Sequence, residues 1–131
     1  MGKIVIRSVE RPRSDTPESI IRWFCNVLDL DSDIEEDLLK KFIKAANQNK
    51  SISSSELKFE NVARSTVIYH LNRFIDAGLV VRKGRKYMFR GPNMSSLIEE
   101  MEYDIDREMQ RMLDFAKELD RQLAKSPKSK R

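Results

Sequence analysis

From Asn93, a residue type suited to a helix cap, to about Ala124 the chain reads as one unbroken helix, and this stretch most limits what the molecule can be. Met94, Ile98, Met101 and Ile105 recur at four-three-four spacing, and Met109, Met112, Ala116, Leu119 and Leu123 carry the apolar stripe on. The repeated step of four from Ile105 to Met109 is a stutter in the heptad. A helix of roughly 30 residues spans about 45 Å at 1.5 Å per residue. A compact domain of roughly 60 residues does not bury such a length. The stripe therefore calls for a partner, and a two-fold pair built on this helix is the natural solution. Its polar face holds Glu99, Glu100, Glu102, Asp104, Asp106 and Glu108, which phosphates would repel. The four methionines are read first as packing residues, with an adaptable ligand pocket as the second reading.

The remaining sequence suffices for one domain. Of 131 residues, 40% are hydrophobic, enough for a core, and 35% are charged, which implies a heavily solvated surface. A net charge of +4 says little by itself; the segregation of basic and acidic residues along the chain says more. One cysteine, Cys25, and one histidine, His70, exclude an internal disulfide and a four-ligand zinc site from a single chain. The apolar run at the N-terminus is broken by Arg7 and is too short for a signal peptide or a membrane span, so a cytoplasmic protein with no membrane association is expected.

Read in order, the chain starts with an arm over residues 1–14, in which the β-branched run Lys3–Val9 predicts an edge strand. Thr16 as N-cap and Pro17 at the first helical position open a helix to about Leu28. Its apolar set, which includes Trp23 and Phe24, is too wide for one stripe. Either this helix is deeply buried in its own domain, or it is shared between a core and a dimer interface. Ser32 with Glu35 forms a capping box for a second helix with Ile34, Leu38, Phe42 and Ala45 inward. Ser53 with Glu56 starts a very short helix. A third helix runs from about Arg64 to Ala77, with Val67, Leu71, Phe74 and Ile75 inward and Gly78 as its left-handed stop. Leu79–Lys83 and Arg85–Arg90 then make a hairpin around Gly84. The fold class expected is mainly α with a small β-hairpin (α+β), with domain limits at 15–92, a long helix over 93–124 and a basic disordered tail over 125–131.

The succession helix, short helix, helix, basic hairpin is the winged helix-turn-helix arrangement, in which the third helix enters the major groove and the hairpin, or wing, lies on the backbone beside it. The residue types suit that task. The third helix turns Arg64, Ser65, Thr66, Ile68, Tyr69, Asn72 and Arg73 outward, with no acid until Asp76. Arg reads guanine bidentately, Ser and Thr serve bases or phosphates, and Ile meets a thymine methyl. On the wing, Arg82, Lys83, Arg85, Lys86 and Arg90 place five positive charges within nine residues. A solvated basic edge is the competing reading of such a hairpin.

Ala63 to Phe89, ARSTVIYHLNRFIDAGLVVRKGRKYMF, resembles the recognition helix and wing of ArsR-like and MarR-like regulators, small archaeal-type members included. The signature is Ser65-Thr66-Val67, then His70-Leu71, then Ala77-Gly78-Leu79-Val80, within a similarity covering Ile34 to Phe89. The resemblance implies DNA contacts at Arg64, Ser65, Thr66, Ile68, Tyr69 and Asn72, and a packing role for His70. It argues against metal sensing, because the metal-sensing relatives carry cysteines in this helix and this chain has none there.

The function expected is that of a homodimeric, sequence-specific regulator of transcription. Trp23, Phe24, Met94, Ile98, Met101, Ile105, Met109, Met112 and Leu119 are expected at the dimer interface. Double-stranded DNA, a second copy of the chain and the transcription machinery are the expected partners, with no cofactor and no metal. The alternative is a winged-helix protein-interaction module of a transcription or chromatin assembly. Catalysis is not expected, since the chain has no Gly-rich phosphate loop and no nucleophile elbow.

Overall fold

The computed structural model describes the backbone of residues 2–130 and the side chains of residues 2–125. It is mainly helical with a small antiparallel sheet, in the order α1 (Pro17–Val27), α2 (Asp33–Asn47), β1 (Ile52–Ser53), a 3-10 turn (Ser54–Glu56), α3 (Arg64–Asp76), β2 (Val80–Lys83), β3 (Lys86–Phe89) and α4 (Met94–Lys130). Two compact units result, Met1–Leu97 and Ile98–Arg131. The basic tail expected over 125–131 falls, beyond Lys125, on residues whose side chains lie outside the description.

The helix starts follow their caps. The Thr16 hydroxyl accepts from the Ser19 amide at 3.3 Å, with Pro17 just inside α1. At α2 the Ser32 hydroxyl accepts from the Glu35 amide at 3.2 Å, and Glu35 Oε1 accepts from the Ser32 amide at 3.4 Å. Asn93 Oδ1 accepts from the Ser96 amide at 2.9 Å at the start of α4. At the end of α3, Gly78 takes φ +86°, a left-handed conformation that a side chain would strain.

Three strands form the sheet in the order β1-β3-β2. Lys83 faces Lys86 across a two-residue loop, so Gly84 (φ +62°) and Arg85 make the turn. A positive φ confined to the first loop position is the pattern that wants glycine there. β1, two residues long and not anticipated, pairs with the other edge of β3, Ile52 opposite Tyr87 and Ser53 opposite Lys86. The 3-10 turn follows it directly, where Ser53–Glu56 was expected to open a short helix, and Glu56 Oε1 accepts from the Ser53 amide at 2.9 Å.

The core of the first unit joins Leu38, Leu39 and Phe42 of α2 to Val67, Leu71 and Phe74 of α3, with Tyr87 and Phe89 closing it from β3. The Phe42 and Phe74 rings lie 5.9 Å apart. Ile75, expected inward, is only half-buried. At the start of α4 it is Leu97 that is fully buried, whereas Ile98 of the expected stripe is exposed.

The strand expected over Lys3–Val9 does not form. Its amides are used elsewhere: Lys3 N–H donates to the Asp76 carbonyl at 2.7 Å, and Arg7 N–H donates to the Val27 carbonyl at 2.7 Å. Those carbonyls close α3 and α1, where a helix leaves its last acceptors without internal donors. The arm therefore runs extended across two helix ends. Further along it the Glu10 carbonyl accepts from Trp23 Nε1 at 2.8 Å.

Phe74→Ala should cost about 3–5 kcal/mol, because a large buried ring leaves a cavity that α2 and α3 cannot both collapse into. Urea titration of the variant against the parent checks this; a loss below about 1 kcal/mol would mean that the α2–α3 contact does not hold the core.

Candidate nucleic-acid interface

On α3 the inward positions are Val67, Leu71 and Phe74, with His70 largely enclosed beside them. Arg64, Ser65, Thr66, Tyr69 and Asn72 are exposed together on the opposite side, and Tyr69 is 58% accessible. Ile68 is half-buried at the edge of this face. Ala63 occupies the N-cap position and supplies no side-chain acceptor, so the amide end of α3 is uncapped by any side chain. Arg64 reaches back to the 3-10 turn, donating from Nη2 to Ser54 Oγ at 2.9 Å.

Arg73 departs from the outward set. Its Nε donates to Glu35 Oε2 at 2.6 Å, and its Nη2 donates to the Asp29 carbonyl. His70 Nδ1 lies 2.8 Å from the same Glu35 oxygen; a carboxylate only accepts, so this nitrogen carries the proton. Glu35 is 1% exposed. Its two oxygens divide the work, Oε1 completing the capping box of α2 and Oε2 receiving two donors from α3. Burial alone would push this carboxyl up. The hydrogen bonds from His70 and Arg73, the Arg73 charge and the Ser32 amide outweigh it and hold Glu35 below its ordinary value of 4.5. The same pairing holds the Arg73 guanidinium above its usual range.

This cluster was not foreseen. By sequence, Glu35 reads as helix-start chemistry and His70 as a packing residue, and nothing in the spacing couples positions 35, 70 and 73. The available signal was the single acid among the apolar positions near the start of α2, followed by a histidine and an arginine three residues apart on α3.

The β2–β3 hairpin divides in a similar way. Arg82 folds over the hairpin, with Nε donating to the Gly84 carbonyl at 2.8 Å and its guanidinium 5.8 Å from the Tyr87 ring centre. Arg90 turns back to donate to the Gly78 carbonyl at 3.2 Å. Lys83, Arg85 and Lys86 stay exposed at the tip, and none of the three forms an ion pair among the described residues. The tip is tied to the segment leading into α3, since the Arg85 carbonyl accepts from the Ser54 amide at 3.1 Å.

Of the residues expected at a dimer interface, Trp23 and Phe24 are half-buried within the single chain and meet edge-on at 5.1 Å. Met94 and Ile105 are half-buried and Met101 is buried, whereas Ile98, Met109, Met112 and Leu119 are exposed. Cys25 is enclosed, and burial, reinforced by Glu36, Glu35 and Asp31, pushes its thiol up to about 12. Among the described residues there is no group of three or more His, Cys, Asp or Glu able to hold a metal ion, and no helix long and apolar enough to cross a membrane.

Compared with protein-family models, with curated proteins and with solved structures, the chain matches none.

A carboxylate held below its unfolded value stabilises the fold above that value and loses the contribution as pH falls through the folded one. Glu35→Gln should therefore be less stable than the parent at neutral pH, by about 3 kcal/mol, because it strips the charge partner from Arg73. The gap should narrow in urea titrations between roughly pH 5 and pH 3. A gap that stays constant with pH would rule out an ionised Glu35 as the source.

Proposed function

We propose that this chain is a sequence-specific, double-stranded-DNA-binding regulator of transcription that works in the cytoplasm as a homodimer. In this reading the first unit is a winged helix-turn-helix, with α3 as recognition helix and β2–β3 as wing. One observation carries it: an exposed, polar face on α3 with no acid before Asp76, combined with a hairpin tip whose Lys83, Arg85 and Lys86 have no acidic partner among the described residues.

The chemistry on the two surfaces supports different tasks. Arg64 and Asn72 carry the donor and acceptor groups that read base edges, Tyr69 adds a large exposed ring, and Ile68 at the rim suits a thymine methyl. The uncapped amide end of α3 favours a phosphate. Unpaired cations at the tip neutralise phosphates without sequence preference and release counterions as they do so. Arg73 and Arg90 are left out of this contact set, because each is held at a half-buried position, Arg73 on the enclosed Glu35 and Arg90 on the Gly78 carbonyl. Arg64, by contrast, is exposed and would exchange its surface bonds to Ser54 for a base edge.

Selection from random duplex DNA tests the reading. An inverted repeat with half-sites about one helical turn, roughly 10 base pairs, apart is the expected product. Arg64→Ala and Tyr69→Ala should then erase the preference, while Lys83→Ala and Arg85→Ala weaken binding to every duplex and lower the salt slope by about one each. Recovery of no motif, with wing variants that leave DNA affinity untouched, would overturn it in favour of a protein partner for the same surface.

A further inference from the structure

Beyond the stutter at Ile105–Met109, the apolar stripe of α4 becomes a strict heptad: Ile105, Met109, Met112, Ala116, Leu119 and Leu123 alternate steps of four and three. Leu113 and Phe115 flank the stripe on opposite sides. In the single chain this face is open, with Met112 64% exposed, Leu113 48% and Phe115 72%. We propose that α4 pairs with α4 of a second copy in antiparallel orientation, with the two-fold axis crossing at the level of Asp114. This orientation rests on the homodimer of the proposed function and specifies how it is built.

Packing and charge can be compared for the two ways of pairing identical helices. In the antiparallel register centred on residue 114, Met112 lies against the partner's Ala116, Met109 against the partner's Leu119 and Ile105 against the partner's Leu123. Every layer then joins side chains of complementary or similar bulk. The flanking residues meet themselves across the axis, Leu113 against the partner's Leu113 and Phe115 against the partner's Phe115. Phe115, the most exposed large hydrophobic among the described residues, is thereby covered at the centre of the seam. The parallel pairing stacks Ala116 on the partner's Ala116, a hollow layer in mid-seam, and sets the flanks as Glu108 with the partner's Leu113 and Phe115 with the partner's Asp120.

Charge works the other way. The antiparallel register sets Asp106 opposite the partner's Asp120 at both ends of the seam. These acids sit at its wet margin, where like-charge repulsion is weak and salt screens it further. The apolar terms do not fade with salt. An aromatic side chain buries roughly 150–250 Å², and the eight apolar residues of the seam together approach the roughly 800 Å² per partner of a standard interface. Packing therefore decides the orientation, and the acidic margins make the dimer tighter at higher salt.

Cross-linking separates the alternatives. The parent protein, with its one thiol buried, serves as the blank. With a short bis-maleimide, Leu113→Cys should cross-link to a covalent dimer in high yield. Leu119→Cys should not, because ten residues of helix, about 15 Å, then separate the two thiols along the seam. Efficient cross-linking at residue 119 with little at 113 would establish the parallel pairing and overturn the proposal. A monomer in sedimentation at tens of micromolar, with neither variant cross-linking, would overturn it too and leave the face to a different partner. Neither result depends on DNA, so a selected DNA motif recovered beside either one would leave the DNA-binding reading standing.

Discussion

The buried carboxylate of Glu35 fixes how the first unit is put together. An ionised group with 1% exposure is tolerable only if its oxygens are satisfied, and here both are, one by the start of α2 and the other by two donors from α3. Hydrophobic contact between Phe42 and Phe74 brings the two helices together and sets which face of α3 is inward, but it lacks the directionality of hydrogen bonds. The polar cluster supplies it. Turning α3 by one position would leave Glu35 charged, buried and unpaired. The consequence reaches the opposite side of the same helix: with His70 and Arg73 committed inward, Arg64, Ser65, Tyr69 and Asn72 must face out.

The sheet does the corresponding job for the hairpin. An isolated two-stranded hairpin is marginal in water, and a tip loaded with cations would mobilise it further. Pairing Ile52 and Ser53 to β3 supplies a third strand, and the chain then passes directly through the 3-10 turn towards α3. The Arg64 bond to Ser54 closes this circuit from the helix side. Hairpin and α3 are thus both tied to one short segment, residues 52–56.

Capping and turn chemistry were legible in the sequence because they are local. Thr16, the Ser32–Glu35 box, Asn93 and the stop at Gly78 each depend on residues within a few positions, and each appears as read. The failures are long-range or too short to carry a pattern. Lys3–Val9 has the composition of a strand, but composition cannot tell a ladder partner from a helix end, and its amides go to the carbonyls of Val27 and Asp76. Two residues of β1 hold no periodicity at all. Arg73 lies by helical spacing on the rim of the wet face, and spacing gives the direction of a Cβ, not the path of a long flexible side chain. The same holds for Arg90.

Charge segregation gives the two units different relations to a polyanion. Met1–Leu97 carries 17 basic against 12 acidic residues, and Ile98–Arg131 carries 8 against 9. Of the 12 acids in the first unit, six are packed into Asp29–Asp37, where they serve the start of α2, pair with Arg7 and Arg22, or neutralise Arg73. Concentrating the acids there leaves α3 free of them before Asp76 and the hairpin free of them altogether. The modest net charge of the chain is therefore a poor guide to its surface. Local potential follows from where charges are paired, and the pairing at Glu35 removes one cation from the exposed face of α3 while fixing the orientation of the rest.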